Sequence, residues 1–225
     1  KYGGIVVLHD YNLHSVVHFE ASRRRNNLSL YREYLLKDYP ASFVDEYLEN
    51  LKTGKSGVRI FEIEVNGFVV NYANKIIVHS DEAKAKLLSR DIGRNVKKIH
   101  SYAKIEALKD TAAAKAELGI ASDQVVFASF GHIQMTKRAM PILKAFHRLH
   151  AKYQNVHYYF VGSPGPTIRD ELYEYIKTNH LEDCVTITGY VELDEFTRYI
   201  DATDLCLNLR YPSNGETSGS LMRIL

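Results

Sequence analysis

The chain opens on an apolar run, Ile5–Leu8, with Gly3 and Gly4 before it and His9 and Asp10 after it. Four consecutive apolar residues rich in β-branched side chains are too few for a helix and fit a parallel strand buried on both faces. From Leu28 the spacing turns helical: Leu28, Tyr31, Leu35 and Tyr39 fall on one stripe as far as Pro40, and Phe43, Val44, Tyr47, Leu48 and Leu51 continue a second amphipathic helix. Residues 53–57 (TGKSG) read as a loop, residues 60–73 as a further helix and residues 75–80 as a second strand. Ser80 then offers an N-cap hydroxyl ahead of Asp81 and Glu82, so another helix begins there.

Residues 103–124 are alanine-rich, charged and helical by propensity, and Gly119 stands where a helix C-cap favours glycine. This stretch marks the expected boundary. Beyond it VVFASFG, HYYFVG, VTITG and DLCLNL read as strands, alternating with helices over 141–153, 167–179 and 193–200. The alternation predicts an α/β protein with a doubly wound parallel sheet, in which ligands bind at the carboxyl ends of the strands. The expected partition is a partial N-terminal Rossmann-like domain over 1–103 with a helical insertion at about 28–52, a linker and boundary helix over 104–124, and a partial C-terminal Rossmann-like domain over 125–225.

Composition narrows the function classes. The 225 residues are 45% hydrophobic and 25% charged, which fits a folded chain of one large or two modest domains. Lys plus Arg number 29 against 27 acidic residues, a balance of +2 that gives no field of the kind nucleic acid demands. Arg23, Arg24 and Arg25 form a dense basic run, read as a solvated loop or helix start, with a phosphate or peripheral membrane contact as the alternative. Cys184 and Cys206 show neither a disulfide framework nor metal-ligand spacing and read as reduced core thiols. No run approaches the ~18 apolar residues of a membrane span and no signal peptide opens the chain, so the expected location is cytoplasmic, with the inner face of the membrane as a variant. Both ends read as trimmed, since a strand begins almost at once and the last helix stops soon after it starts.

The loops at the strand ends carry the chemistry. VVFASFG delivers Gly131, then Lys137 and Arg138 at the predicted start of the next helix. Cations there oppose the helix dipole, so a bound diphosphate explains them better than first-turn decoration does. Gly162 to Pro166 form a stiff turn, for which an ordinary tight turn is the plain reading. Without Gly-x-Gly-x-x-Gly after a strand, a nicotinamide enzyme loses ground. The last strand delivers Gly215, Glu216, Thr217, Ser218 and Gly219. Amides at a predicted helix N-terminus beside a carboxylate suit a ligand with both phosphate and sugar hydroxyls, although a dipole-favoured first-turn Glu216 accounts equally well for the spacing. No Asp-x-Asp and no histidine or cysteine cluster points to a metal or a cofactor.

Taken together, FASFGHIQMTKR, YFVGSPGP, VTITGYV and DLCLNLRYPSNGETSGSL resemble the nucleotide-sugar domain of family-4 retaining glycosyltransferases of the GT-B fold, in a Gly-Glu-Thr-Ser-Gly-Ser-Leu subgroup of bacterial type. VVLHDYNLH and ANKIIVHSDEAKAKLL resemble the N-terminal half of the same family. The resemblance implies metal-independent transfer of a hexose-type sugar from a nucleotide diphosphate sugar to a glycan or lipid-linked acceptor, with retention. It assigns the donor diphosphate to Lys137, close backbone approach to Gly131, and sugar hydroxyls to Glu216. Amide contacts fall to Thr217, Ser218 and Gly219, the nucleotide base to Tyr190 and Val191, and the sugar or reacting centre to His9. Two positions depart from the family pattern. His132 stands where an arginine commonly follows the glycine, leaving Arg138 or Arg210 to supply charge, and Ile224 stands where a second carboxylate grips the ribose. These departures keep open a non-catalytic GT-B-like binding module, and an epimerase or phosphorylase of the same architecture is a further alternative.

Overall fold

Strand β1 (Ile5–Leu8) pairs in parallel with β2 (Lys75–Val78), and β2 with β3 (Asn95–Lys98), so the first sheet runs β1-β2-β3. The computed structural model describes residues 3–90, 95–102 and 110–224. It divides into a first unit of Lys1–Tyr102 with Pro212–Thr217 and a second of Ala103–Tyr211 with Ser218–Leu225. In the first unit Leu8, Ile76, Val78 and Leu87 pack on the sheet. β1 pairs only with β2, and Ile5 (64% exposed) and Val7 (48%) face away from that core, so burial on both expected faces does not hold among the described residues.

Helices α1 (His14–His18), α2 (Leu28–Leu35), α3 (Ala41–Lys52), α4 (Gly67–Val70) and α5 (Asp81–Ser89) complete this unit, with a π-helical turn at Phe19–Arg24 continuing α1. The stripe read from the sequence buries Tyr31, Leu35, Val44, Tyr47 and Leu48 in one cluster. Ser80 caps α5 by accepting from the Ala83 amide at 3.2 Å. The helix expected over 60–73 is reduced to a turn and the short α4. Backbone groups that a helix needs are taken elsewhere: Asn12 Nδ2 donates to Ile60 O (2.8 Å), Val65 N donates to Asn12 Oδ1 (3.1 Å), Leu13 N donates to Val65 O (3.0 Å), and the His14 ring bonds Ile63 O (2.7 Å). Asp38 accepts from the amides of Asn66 and Gly67 at 3.1 and 2.8 Å and pairs with Arg90, which fixes the start of α4.

The second unit is a four-stranded, wholly parallel sheet ordered β6-β5-β4-β7, from β4 (Val125–Phe130), β5 (Val156–Val161), β6 (Val185–Ile187) and β7 (Leu205–Cys206). Its helices are α6 (Thr111–Glu117), α7 (Ala139–His150), α8 (Arg169–Thr178), α9 (Leu193–Ala202) and α10 (Leu221–Ile224). The part of the expected boundary helix over 103–109 lies outside the described residues; α6 follows, and Gly119 has the positive φ (+70°) of a C-terminal stop. Leu143 and Phe146 of α7 and Leu172 and Ile176 of α8 cover one sheet face; Phe196 and Ile200 of α9 pack with Ala128, Phe130 and Val161 on the other. Both cysteines are free thiols. Because β5 and β7 flank β4 and are reached in opposite directions, the sheet reverses at β4, the point where open α/β sheets leave a crevice.

His157 on β5 is buried, its Nε2 2.8 Å from the Thr186 hydroxyl, and burial lowers its pKa to about 4. The unfolded chain therefore binds a proton between about pH 6.5 and 4 that the folded chain does not, and stability falls as pH drops through that window. Urea denaturation at pH 7 and pH 4 should show His157→Gln losing about 2 kcal/mol less than the unsubstituted protein over that interval.

Candidate functional site

The second unit brings its strand-end loops together. Gly131 (φ +82°) follows β4, and its amide donates to Val161 O at 2.8 Å. Gly162 (φ +150°) follows β5; a Cβ there would stand 2.4 Å from Gly131 O, so no larger residue fits. Ile133 N donates to Ser163 O (3.0 Å), Gly165 N donates to Ile133 O (2.9 Å), and the Thr188 hydroxyl after β6 accepts from Gly162 N (3.1 Å). The turn that reads as ordinary in the sequence is thus stitched to the Gly131 loop. Beside it opens a cavity of about 370 Å³, lined by Gly131, His132, Gly162, Tyr190, Val191 and Phe196 among others. Tyr190 is 77% exposed at its rim.

Lys137 reaches the same loop. Its Nζ donates to Phe130 O at 2.7 Å and stands 3.1 Å from where a Gly131 Cβ would be. Burial, reinforced by the nearby Arg210 charge, lowers its pKa to about 8. The sequence places Lys137 and Arg138 at the start of the next helix, and the structure sets them immediately ahead of its first turn. Lys137 closes a 3₁₀ turn (Met135–Lys137), and Arg138 is the N-cap of α7 in a left-handed conformation (φ +60°), its guanidinium 5.7 Å from the Tyr211 ring centroid. The first α-helical bond runs from Ile142 N to Arg138 O, and Pro141 sits in the first turn, where a missing N–H costs no helical bond.

The last motif is divided between the units. α10 begins at Leu221, whose amide donates to Ser218 Oγ (3.2 Å), and Ser218 also lies 3.1 Å from the Ser220 hydroxyl. Ser220 Oγ is 4.0 Å from the Gly131 Cβ position. Glu216 is therefore not at a helix mouth. It belongs with Pro212–Thr217 in the first unit, where Asn12 N donates to Asn214 O (2.9 Å) and Gly215 (φ +73°) abuts Tyr11. Its Oε2 accepts from Ser213 Oγ and Asn214 N, each at 2.7 Å, so the carboxylate folds back over its own turn. In the same unit the ring of His9, exposed after β1, lies tilted by 37° against that of His79, with the centroids 4.7 Å apart. His79 is fixed by a 2.7 Å bond between Nδ1 and Ile99 O; the carbonyl only accepts, so Nδ1 carries the proton. Thr188, Ser220 and His79 escaped the sequence reading because each is a single polar residue with no spacing signal.

Part of this set lies in a segment with known counterparts. Residues 110–219 match the family model for Glycosyl transferases group 1. The matched segment carries Gly131, Lys137, Tyr190 and Glu216. Among solved structures, sucrose-phosphate synthase from Thermosynechococcus elongatus is 16% identical, covering 93% of this chain and 45% of its own, with a TM-score of 0.59. Anabaena Alr3699/HepE, solved with UDP, is 16% identical over 93% of this chain and 47% of its own, at a TM-score of 0.55. The same protein with UDP-glucose gives 17% identity over 90% and 45%, at 0.51. The chain thus spans less than half the length of these structures. Comparison with curated proteins gives no match. The fold is α/β with parallel sheets of the GT-B glycosyltransferase type. Of the two departures from the family pattern, His132 borders the cavity, and Ile224, outside the matched segment, packs against the cluster of Ala128, Phe130 and Val161.

Proposed function

We propose that the protein is a family-4 retaining glycosyltransferase that moves a hexose from a nucleoside diphosphate sugar to a glycan or lipid-linked acceptor without a metal. The observation that carries this reading is the half-buried Lys137 ammonium beside Gly131, a glycine that lines the 370 Å³ cavity, inside the segment that matches the glycosyl transferases group 1 model. Breaking the sugar–phosphate bond builds negative charge on the leaving diphosphate; Lys137, Arg138 and Arg210 stabilise it electrostatically. Gly131 and Gly162 let the backbone approach the phosphates. Tyr190 and Val191 border the space for the base. Glu216 is assigned to the sugar hydroxyls, Gly215 and the amides of Thr217, Ser218 and Gly219 to the phosphate or sugar of the donor, and His9 to the sugar or the reacting centre. Retention follows from attack on the face the diphosphate leaves. UDP-sugars are the first donors to test, since the Anabaena protein was solved with UDP and with UDP-glucose. A second reading, a binding module without turnover, draws on the apolar setting of Ile224.

The test is nucleotide release by the full-length protein from UDP- and GDP-sugars, with and without candidate acceptors, repeated with Glu216→Ala. Release that depends on acceptor and falls in the variant supports transfer. Binding without release selects the module, and no binding of any sugar nucleotide removes both. Donor affinity should also depend on pH. The Lys137 pKa is already lowered to about 8, so raising pH through 8 strips the free protein of the charge the diphosphate needs. Affinity for UDP should fall on the order of 10- to 30-fold from pH 7 to pH 9.5, read by calorimetry.

A further inference from the structure

We propose that His79 is a positioning residue for His9: its buried Nε2 takes a ring N–H of His9 and so leaves the other His9 nitrogen as an acceptor for a ligand hydroxyl. The inference rests on the assignment of His9 to the sugar or the reacting centre and adds the group that orients it. The first sheet brings the pair together. Leu8 and Val78 are in register on the parallel strands β1 and β2, so the next residues, His9 and His79, leave the sheet side by side on one face of its carboxyl edge. β3 fixes the second ring. Ile99 follows Lys98, the partner of Val78; its amide donates to Val78 O at 2.9 Å, and its carbonyl accepts from His79 Nδ1 at 2.7 Å. With the proton on Nδ1, a neutral His79 carries a bare lone pair on Nε2. That nitrogen is buried and meets no hydrogen-bond partner among the described residues. A buried acceptor without a donor is costly, and native structures keep few of them without a use.

His9 is the group placed to supply the donor. Its ring is exposed, makes no hydrogen bond among the described residues, and has its centroid 4.7 Å from that of His79. An N–H···N bond of about 2.9 Å, with a ring radius added at each end, sets two imidazole centroids roughly 5 Å apart. The existing separation therefore suffices once the His9 ring turns out of its 37° tilt, with no movement of the backbone. The bond that one ring nitrogen makes decides what the other presents. The direction of the chain is then set from the sheet outward: His79 Nδ1–H donates to Ile99 O, a His9 N–H donates to His79 Nε2, and the remaining His9 nitrogen accepts from a sugar or acceptor hydroxyl.

Nitrogen-15 NMR of the ring nitrogens tests it, at about pH 8, where imidazole is ordinarily neutral. His79→Phe keeps an aromatic ring and removes the acceptor; it should shift the His9 tautomer ratio at least about fivefold, the worth of one hydrogen bond. His79→Gln, whose side-chain carbonyl can take the same N–H, should recover most of that shift. An unsubstituted protein whose His9 shows the ratio of free histidine would overturn the proposal. So would a ratio unchanged in His79→Phe, or one displaced as far in His79→Gln. In the transfer assay His79→Phe should lower kcat about tenfold with the donor KM held within about twofold, and an unchanged kcat would equally overturn it. A locked His9 tautomer in a protein that transfers nothing would instead remove the proposed function and leave the pair standing.

Discussion

Replacing Lys137 with alanine is expected to lower transfer from a UDP-sugar by on the order of 100- to 1000-fold with little loss of fold. The ammonium makes one described structural bond, to Phe130 O at 2.7 Å, worth about 1 kcal/mol. On the proposed function, its larger value is to an anion. It is held close to Gly131 in a partly dehydrated site, where a charge acts on a diphosphate more strongly than it does in water. The loss should appear in kcat more than in KM if the charge acts mainly as the leaving group departs. Lys137→Arg should recover part of it, since the charge is kept and the geometry altered. Unchanged kinetics for Lys137→Ala would detach this residue from the donor.

Asp38→Ala is expected to cost the first unit about 3–5 kcal/mol, a large share of the ~5–15 kcal/mol that a domain commands. The side chain is only 3% exposed and serves three groups: the amides of Asn66 and Gly67 and the Arg90 guanidinium. Alanine leaves a half-buried cation and two amides without their acceptor. The loss spreads to the loop around Asn66, whose Nδ2 donates to Tyr11 O at 2.8 Å. Equilibrium unfolding in urea checks this. A change under 1 kcal/mol would mean that water replaces the carboxylate.

The second sheet was legible in the sequence because each strand is a short apolar run closed by glycine or by a polar residue, and each helix carries its own stripe. The first unit was less so. β3 (Asn95–Lys98) buries Val96 as its apolar contribution, so alternation gives it no signal. The apolar residues Ile63 and Val65 are in the core as their pattern suggests, yet their backbones bond Asn12 and His14, some fifty residues earlier, and no local rule reveals that. The stretch over 14–24 went unread as helix because its buried side begins with a histidine. At the site, Gly131 and Lys137 stand together because the chain turns back on itself within seven residues. Glu216 was misplaced for the opposite reason: what holds its turn is Tyr11 and Asn12, about two hundred residues away.

The most direct test of the central claim is a calorimetric comparison of UDP with uridine at pH 7, made on the unsubstituted protein and on Lys137→Ala. The account predicts UDP binding at least tenfold tighter than uridine, with most of that margin gone in the variant. Equal affinity for the two ligands, or a margin unchanged by the substitution, would contradict it.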